Sequence, residues 1–286
     1  KKKTTGMSKA SKKYGIWIDQ GPPSQTSEIK NPSLRLVCFP PAGMGAWAFH
    51  GWQAKLKDIE VLPIELPGRN TRMIEARINN MEELIKQVLV ALSPTIFQDK
   101  SIPYVIFGHS LGGLMAYELT SALLRRGDKP KALIVSGVRP PHLSALKYDT
   151  DKIQPSLASL PTSELFWEHF ERRYGANPDL QSTLIQHYVE PLLRNDFYLL
   201  EHYQGPLSPH NLKIPVVACC ASGDDRCSPE QLSAWSSYGS PSVGPHFFQT
   251  TPLPWSTPHR YIVESPQPLL DFLSSFCADL LLSSSC

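Results

Sequence analysis

Apolar positions along this chain fall into short unbroken runs that alternate with stretches of helical periodicity. Residues 34–39 (Leu-Arg-Leu-Val-Cys-Phe) form a first run, stopped by Pro40-Pro41-Ala42-Gly43, and read as a strand entering a turn. Residues 59–66 read as a second strand, ended by Pro67-Gly68. Over residues 81–92 the apolar side chains Leu84, Ile85, Val88, Leu89 and Leu92 share one helical face, with Glu82 and Glu83 near the positive end of the helix dipole. Residues 104–107 predict a third strand running into a helix over 111–126. Residues 132–136 and 216–220 predict two more strands, and a helix over about 266–282 closes the chain. Unbroken apolar strands separated by amphipathic helices imply an α/β fold, with a mostly parallel sheet covered by helices on both faces. Over residues 151–205 no strand-like run occurs and Leu, Phe, Trp and Tyr recur at helical spacing. An insertion between strands sits over the carboxyl edge of such a sheet, where ligands bind, so this segment is expected to form a helical lid.

At 286 residues and 41% hydrophobic content the chain can bury one large core. Its formal net charge of +2 nominates no nucleic-acid partner. Lys1, Lys2, Lys3, Lys9, Lys12 and Lys13 concentrate basic charge at the start, and no run of apolar residues is long enough to span a membrane. Residues 1–30 are expected to be a disordered basic extension, a tail or a targeting remnant, and 31–286 the folded domain. The six cysteines include no Cys-x-x-Cys pair, and several lie in strand-like runs. Free buried thiols are therefore expected, without a metal site, in the cytoplasm or a comparably reducing organelle.

The candidate chemistry centres on Gly108-His109-Ser110-Leu111-Gly112, a G-x-S-x-G pattern between a predicted strand and a predicted helix. A sharp strand-to-helix turn holds the serine exposed at the top of a sheet, and its glycines let neighbouring backbone approach. A serine hydroxyl needs a base, and in such folds the order is serine, acid, histidine. Asp224 and Asp225 follow the strand at 216–220, and spacing does not choose between them. Two late histidines can serve as base. His259 lies on a loop before the last helix, where that base belongs, and is preferred to His246, which is followed by aromatics typical of a strand. His109 is expected to turn away from the serine and act as a neighbour rather than a base. For a developing oxyanion, the Leu111 N–H is one donor. The other comes from the loop after the first strand, where neither proline carries an N–H, so Ala42 is the first donor and Gly43 the second.

With these residues placed, the chain resembles the type II thioesterases, stand-alone hydrolases of the α/β-hydrolase superfamily that serve polyketide, nonribosomal-peptide and fatty-acid synthesis. The resemblance rests on residues 38–43 (Cys-Phe-Pro-Pro-Ala-Gly), 66–69 (Leu-Pro-Gly-Arg), 108–113 (Gly-His-Ser-Leu-Gly-Gly), 194–197 (Arg-Asn-Asp-Phe) and Asp224-Asp225 followed by Trp235. It spans about residues 34–280. It implies hydrolysis of acyl thioesters on the phosphopantetheine of an acyl or peptidyl carrier protein, through an acyl-enzyme on Ser110, with acyl-CoA as another substrate class. It implies no cofactor, no metal and a monomer, and it selects Asp225 as the acid. Thr257-Pro258 stands where the family has two glycines before its histidine. The competing readings are an acyl-CoA or carboxylester hydrolase with the same triad, and a non-catalytic scaffold that binds carriers or synthases.

Overall fold

The computed structural model describes residues 13–22, 29, 31–151 and 156–283. Six strands form one sheet: β1 (Leu34–Phe39), β2 (Ile59–Pro63), β3 (Tyr104–His109), β4 (Leu133–Ser136), β5 (Val216–Ala221) and β6 (Ser242–Phe248). Their order across the sheet is β2-β1-β3-β4-β5-β6, and every pairing is parallel. β1 to β5 are buried along their whole length, as unbroken apolar runs require of strands covered on both faces. The two faces build two cores. Val37, Phe39, Ile106, Val135 and Ala218 face α1 (Met81–Leu92) and α2 (Leu111–Arg125). Leu36, Cys38, Val105, Phe107 and Cys219 face the other way, toward Phe49, Trp52 and the C-terminal helix.

Between β4 and β5 lie α3 (Ser163–Tyr174) and α4 (Thr183–Glu201), the helical insertion expected from residues 151–205. Phe166, Trp167, Phe170, Leu193 and Phe197 join a third apolar cluster, so the insertion has a core of its own. A short α5 (Pro229–Ser233) follows β5, and α6 (Tyr261–Glu264) and α7 (Gln267–Leu282) close the chain. Among the described residues no helix is long and apolar enough to cross a membrane.

One boundary differs from expectation. Residues 13–22 are not a free tail: Tyr14, Trp17 and Ile18 are buried in the core on the α1–α2 side. Ile18 bridges Ile64 in antiparallel fashion, and the Trp17 carbonyl accepts from the Glu65 N–H at 2.9 Å. The segment covers the β2 edge, which would otherwise present unpaired backbone groups. Composition marked these residues as part of a basic extension, but a few large apolar side chains suffice to anchor them. Lys1, Lys2, Lys3, Lys9 and Lys12, like Cys286, lie outside the described residues. The five described cysteines, Cys38, Cys219, Cys220, Cys227 and Cys277, are free and buried.

Candidate active site

β3 ends at His109 and α2 begins at Leu111, so a single residue makes the turn. Ser110 holds it at φ 55°, ψ −124°, a conformation that L residues rarely adopt. The turn is this sharp because two glycines permit it. A Cβ on Gly108 would lie 2.0 Å from the Gly112 carbonyl oxygen, and one on Gly112 would lie 2.3 Å from that of Phe39. The start of α2 is thus pressed against the ends of β1 and β3. The Ser110 hydroxyl does not cap the helix it precedes, and it faces a cavity lined by Pro41, Ala42, Met44, His259 and lid residues Phe170 and Phe197. Ser110 also borders a second, more polar space with Arg139, Asp149 and Arg226.

The structure brings His259 into that cavity and buries it to 5% exposure. Its Nδ1 stands 2.8 Å from Asp224 Oδ2. A carboxylate only accepts, so Nδ1 carries the proton and Nε2 is the basic nitrogen. No hydrogen bond joins Ser110 to His259 among the described residues; such bonds tighten when substrate is bound. Burial pushes the Asp224 carboxyl up, but the His259 charge and hydrogen bond, with the Arg226 N–H, hold it below the usual carboxylate range. Asp224 therefore stays ionised at neutral pH.

Asp225, the acid chosen from the family motif, is corrected by this geometry. Its side chain is 66% exposed and pairs with Arg226 Nε at 3.0 Å, on the outside of the turn. Consecutive residues on a tight turn point in different directions, and the turn begins with the Asp224 N–H donating to the Ala221 carbonyl. His246 is also excluded as the partner of Ser110. It lies within β6, opposite Cys219, and packs against Phe272 at a ring separation of 4.5 Å. The strand it was expected to begin had already started at Ser242.

The two loop donors are told apart by their partners. The Gly43 N–H donates to Asp196 Oδ2 at 2.8 Å and is engaged. Ala42 borders the cavity beside Ser110, and Leu111 opens α2 at the same place. Asp196, on lid helix α4, also takes a two-pronged ion pair from Arg69, both bonds 2.8 Å, and Arg69 donates to the Met44 carbonyl. Arg69 and Asp196 are almost fully buried, so this pair ties the lid to the loop that carries Ala42. Their sequence motifs were visible, but pairing across 127 residues was not. Tyr174, at the end of α3, stands 6.0 Å from the His259 ring, and burial pushes its hydroxyl up to about 12.

A serine on a strained elbow, with a buried His–Asp pair arriving after β5 and β6 and a lid above, defines an α/β-hydrolase. Residues 34–273 match the family described as Thioesterase domain. Gramicidin S biosynthesis protein GrsT of Aneurinibacillus migulanus is 31% identical over 71% of this chain and 75% of its own length. The human medium-chain S-acyl fatty acid synthase thioesterase is 25% identical over 82% of this chain and 89% of its own. Among solved structures, the RedJ thioesterase from the prodiginine biosynthetic pathway of Streptomyces coelicolor superposes with a TM-score of 0.69 at 33% identity. That match covers 87% of this chain and 88% of RedJ. The chain belongs to the thioesterase family and is a hydrolase of acyl thioesters.

Proposed function

We propose that this chain hydrolyses acyl thioesters carried on the phosphopantetheine of acyl or peptidyl carrier proteins, with Ser110 as nucleophile, His259 as base and Asp224 as the orienting acid. The observation that carries the reading is the Ser110 elbow opening onto the cavity that holds the His259–Asp224 pair. In this mechanism His259 Nε2 takes the Ser110 hydroxyl proton as Oγ attacks the thioester carbonyl. The Ala42 and Leu111 N–H groups receive the oxyanion. Collapse breaks the C–S bond, and the proton on His259 passes to the leaving thiolate. Water, deprotonated by the same imidazole, then attacks the acyl-enzyme, releases the free acid and returns Ser110 to its starting state. The apolar and aromatic wall of Met44, Phe170, Phe197 and Ile262 suits an acyl chain. Carrier-bound substrates are supported by the relatives, whose names place them in gramicidin S, prodiginine and fatty-acid synthesis.

The test is turnover of one acyl group presented as acyl-carrier protein, acyl-CoA and a simple oxygen ester to one preparation, beside Ser110→Ala. The carrier form is expected to give the highest kcat/KM, and Ser110→Ala to lose activity almost completely. A preference for acyl-CoA or ester replaces the substrate assignment. Full turnover by Ser110→Ala removes the nucleophile. A fluorophosphonate probe that fails to label the wild-type chain leaves the non-catalytic scaffold reading in its place.

A further inference from the structure

His109 adjoins the nucleophile in sequence but points into the protein, where it is fully enclosed at 1% exposure. Its ring nitrogens are both engaged. Nε2 stands 2.8 Å from the backbone carbonyl oxygen of His259, and Nδ1 stands 2.8 Å from Ser136 Oγ. Ser136 ends β4, and its hydroxyl lies 2.5 Å from that of Tyr261, two residues beyond His259. The Ser136 carbonyl also accepts the Ser110 N–H at 2.8 Å, so both elbow residues hang from the end of β4.

Only one arrangement of protons satisfies this chain with a neutral ring. A carbonyl oxygen only accepts, so His109 Nε2 carries the hydrogen. Nδ1 is then bare and accepts from the Ser136 hydroxyl, whose oxygen in turn accepts from Tyr261. Burial, and secondarily the neighbouring His259, drive the His109 imidazole down to about 3, against the opposing pull of Asp224. The ring is thus neutral at any working pH. The groups that face it are His259 (ring separation 4.7 Å), Tyr261 (5.6 Å), Ser136 and, across Gly137, Asp224. A Cβ at Gly137 would lie 2.7 Å from His109 Cε1 and 3.1 Å from Asp224 Oδ2, so one glycine lets the buried ring and the carboxylate sit side by side.

We propose that His109 is a positioning residue for His259: with its Nδ1 anchored by Ser136 and Tyr261, its Nε2–H holds the His259 carbonyl and so determines where that imidazole stands. The idea rests on His259 being the base. Asp224 fixes the side chain of His259 and His109 its backbone, so the ring is restrained at both ends. The backbone restraint matters because His259 sits in a single 3-10 turn, Pro258–Arg260, outside the strands β3 and β5 that lead into Ser110 and Asp224. A residue that merely fills space in the core needs neither a particular tautomer nor a donor at one particular ring position.

Two substitutions separate these roles, because the amide of Gln reaches the place of Nε2 whereas that of Asn reaches only the place of Nδ1. His109→Gln is expected to keep most of the wild-type kcat, since it can still donate to the His259 carbonyl. His109→Asn is expected to lose about a hundredfold in kcat with KM little changed, the usual cost of displacing a reacting group by about 1 Å. Equal activity of the two variants overturns the proposal. If His109→Asn does not fold, Ser136→Ala keeps His109 but removes the anchor on its Nδ1, freeing the ring to turn away from the His259 carbonyl; a drop in kcat is expected, and wild-type kcat overturns the proposal. Nitrogen-15 imidazole spectra, with His109 assigned by its absence from His109→Gln, are expected to show a neutral Nε2–H ring; an Nδ1–H or cationic ring at neutral pH overturns it. The spectra need no turnover and are to be repeated on Ser110→Ala. Failure of the nucleophile assignment and failure of the His109 role are thereby read separately.

Discussion

Adjacent carboxylates with opposite fates define the residue scale. Asp224 is buried against His259 while Asp225 faces solvent, one bond of chain apart. Replacing Asp224 by Asn should leave the turn intact but remove the acceptor that holds His259 in its working tautomer; kcat is expected to fall by about 10⁴. Asp225→Asn should change turnover by less than about twofold, as exposed substitutions usually do. Steady-state kinetics on both variants decides which carboxylate serves the histidine. Glu65 offers a second test. It is 1% exposed, and burial outweighs the Asn70 hydrogen bond and the Arg69 charge, so its carboxyl is pushed up to about 7. The folded state then binds a proton that the unfolded chain releases at ordinary carboxylate pH, so stability falls as pH rises from about 4.5 to about 7. The full effect is on the order of 3 kcal/mol. Denaturant melts of Glu65→Gln across that range should show a flatter pH dependence than wild type.

At the scale of elements, the joint between β3 and α2 concentrates the constraints. The helix start is seated directly on the ends of β1 and β3, with no room for a methyl group at Gly108 or Gly112. Gly112→Ala is expected to push α2 away from the Phe39 carbonyl, lowering Tm by several degrees and displacing the Leu111 N–H. Calorimetry and kcat measured on the same sample should fall together. A variant of wild-type stability and activity would mean that the close seating is not required. The lid shows a different kind of joint. Its aromatic cluster packs internally and against Ala42, and the buried Arg69–Asp196 pair, with the Gly43 N–H, ties it to the loop after β1. Buried pairs tolerate loss of one partner poorly, because the other is left as an unpaired charge.

For the whole molecule, the parallel sheet assembles groups that are far apart in the chain at its carboxyl edge: the loop after β1, the elbow after β3, Asp224 after β5 and His259 after β6. The lateral edge at β2 is covered by residues 13–22, which the sequence composition had assigned to a tail. Trp17 anchors that closure, with the Arg72 guanidinium 3.9 Å from its ring centre. Trp17→Ala is expected to cost about 3 kcal/mol of unfolding free energy. Equilibrium denaturation measures this, and an unchanged midpoint would mean that the segment adds nothing to the fold.

The sequence alone determined what depends on local pattern. Five of the six strands and the order of the main helices followed from apolar periodicity, and the first helix and the elbow were legible residue by residue. The sharp turn at Ser110 was legible because a G-x-S-x-G sits between a strand and a helix. The order of elements preferred His259 to His246, and His259 is the late histidine that lines the Ser110 cavity. What only the tertiary structure decided was direction and long-range pairing. Asp224 rather than Asp225 meets His259 because the turn after β5 aims one side chain inward and its neighbour outward. The Gly43 N–H is engaged by an aspartate 153 residues away. His109, which reads as a neighbour of the serine, reaches across 150 residues to hold the His259 backbone. Periodicity records which residues are buried; it carries no information on which buried polar group finds which partner, because that choice is made when distant segments pack.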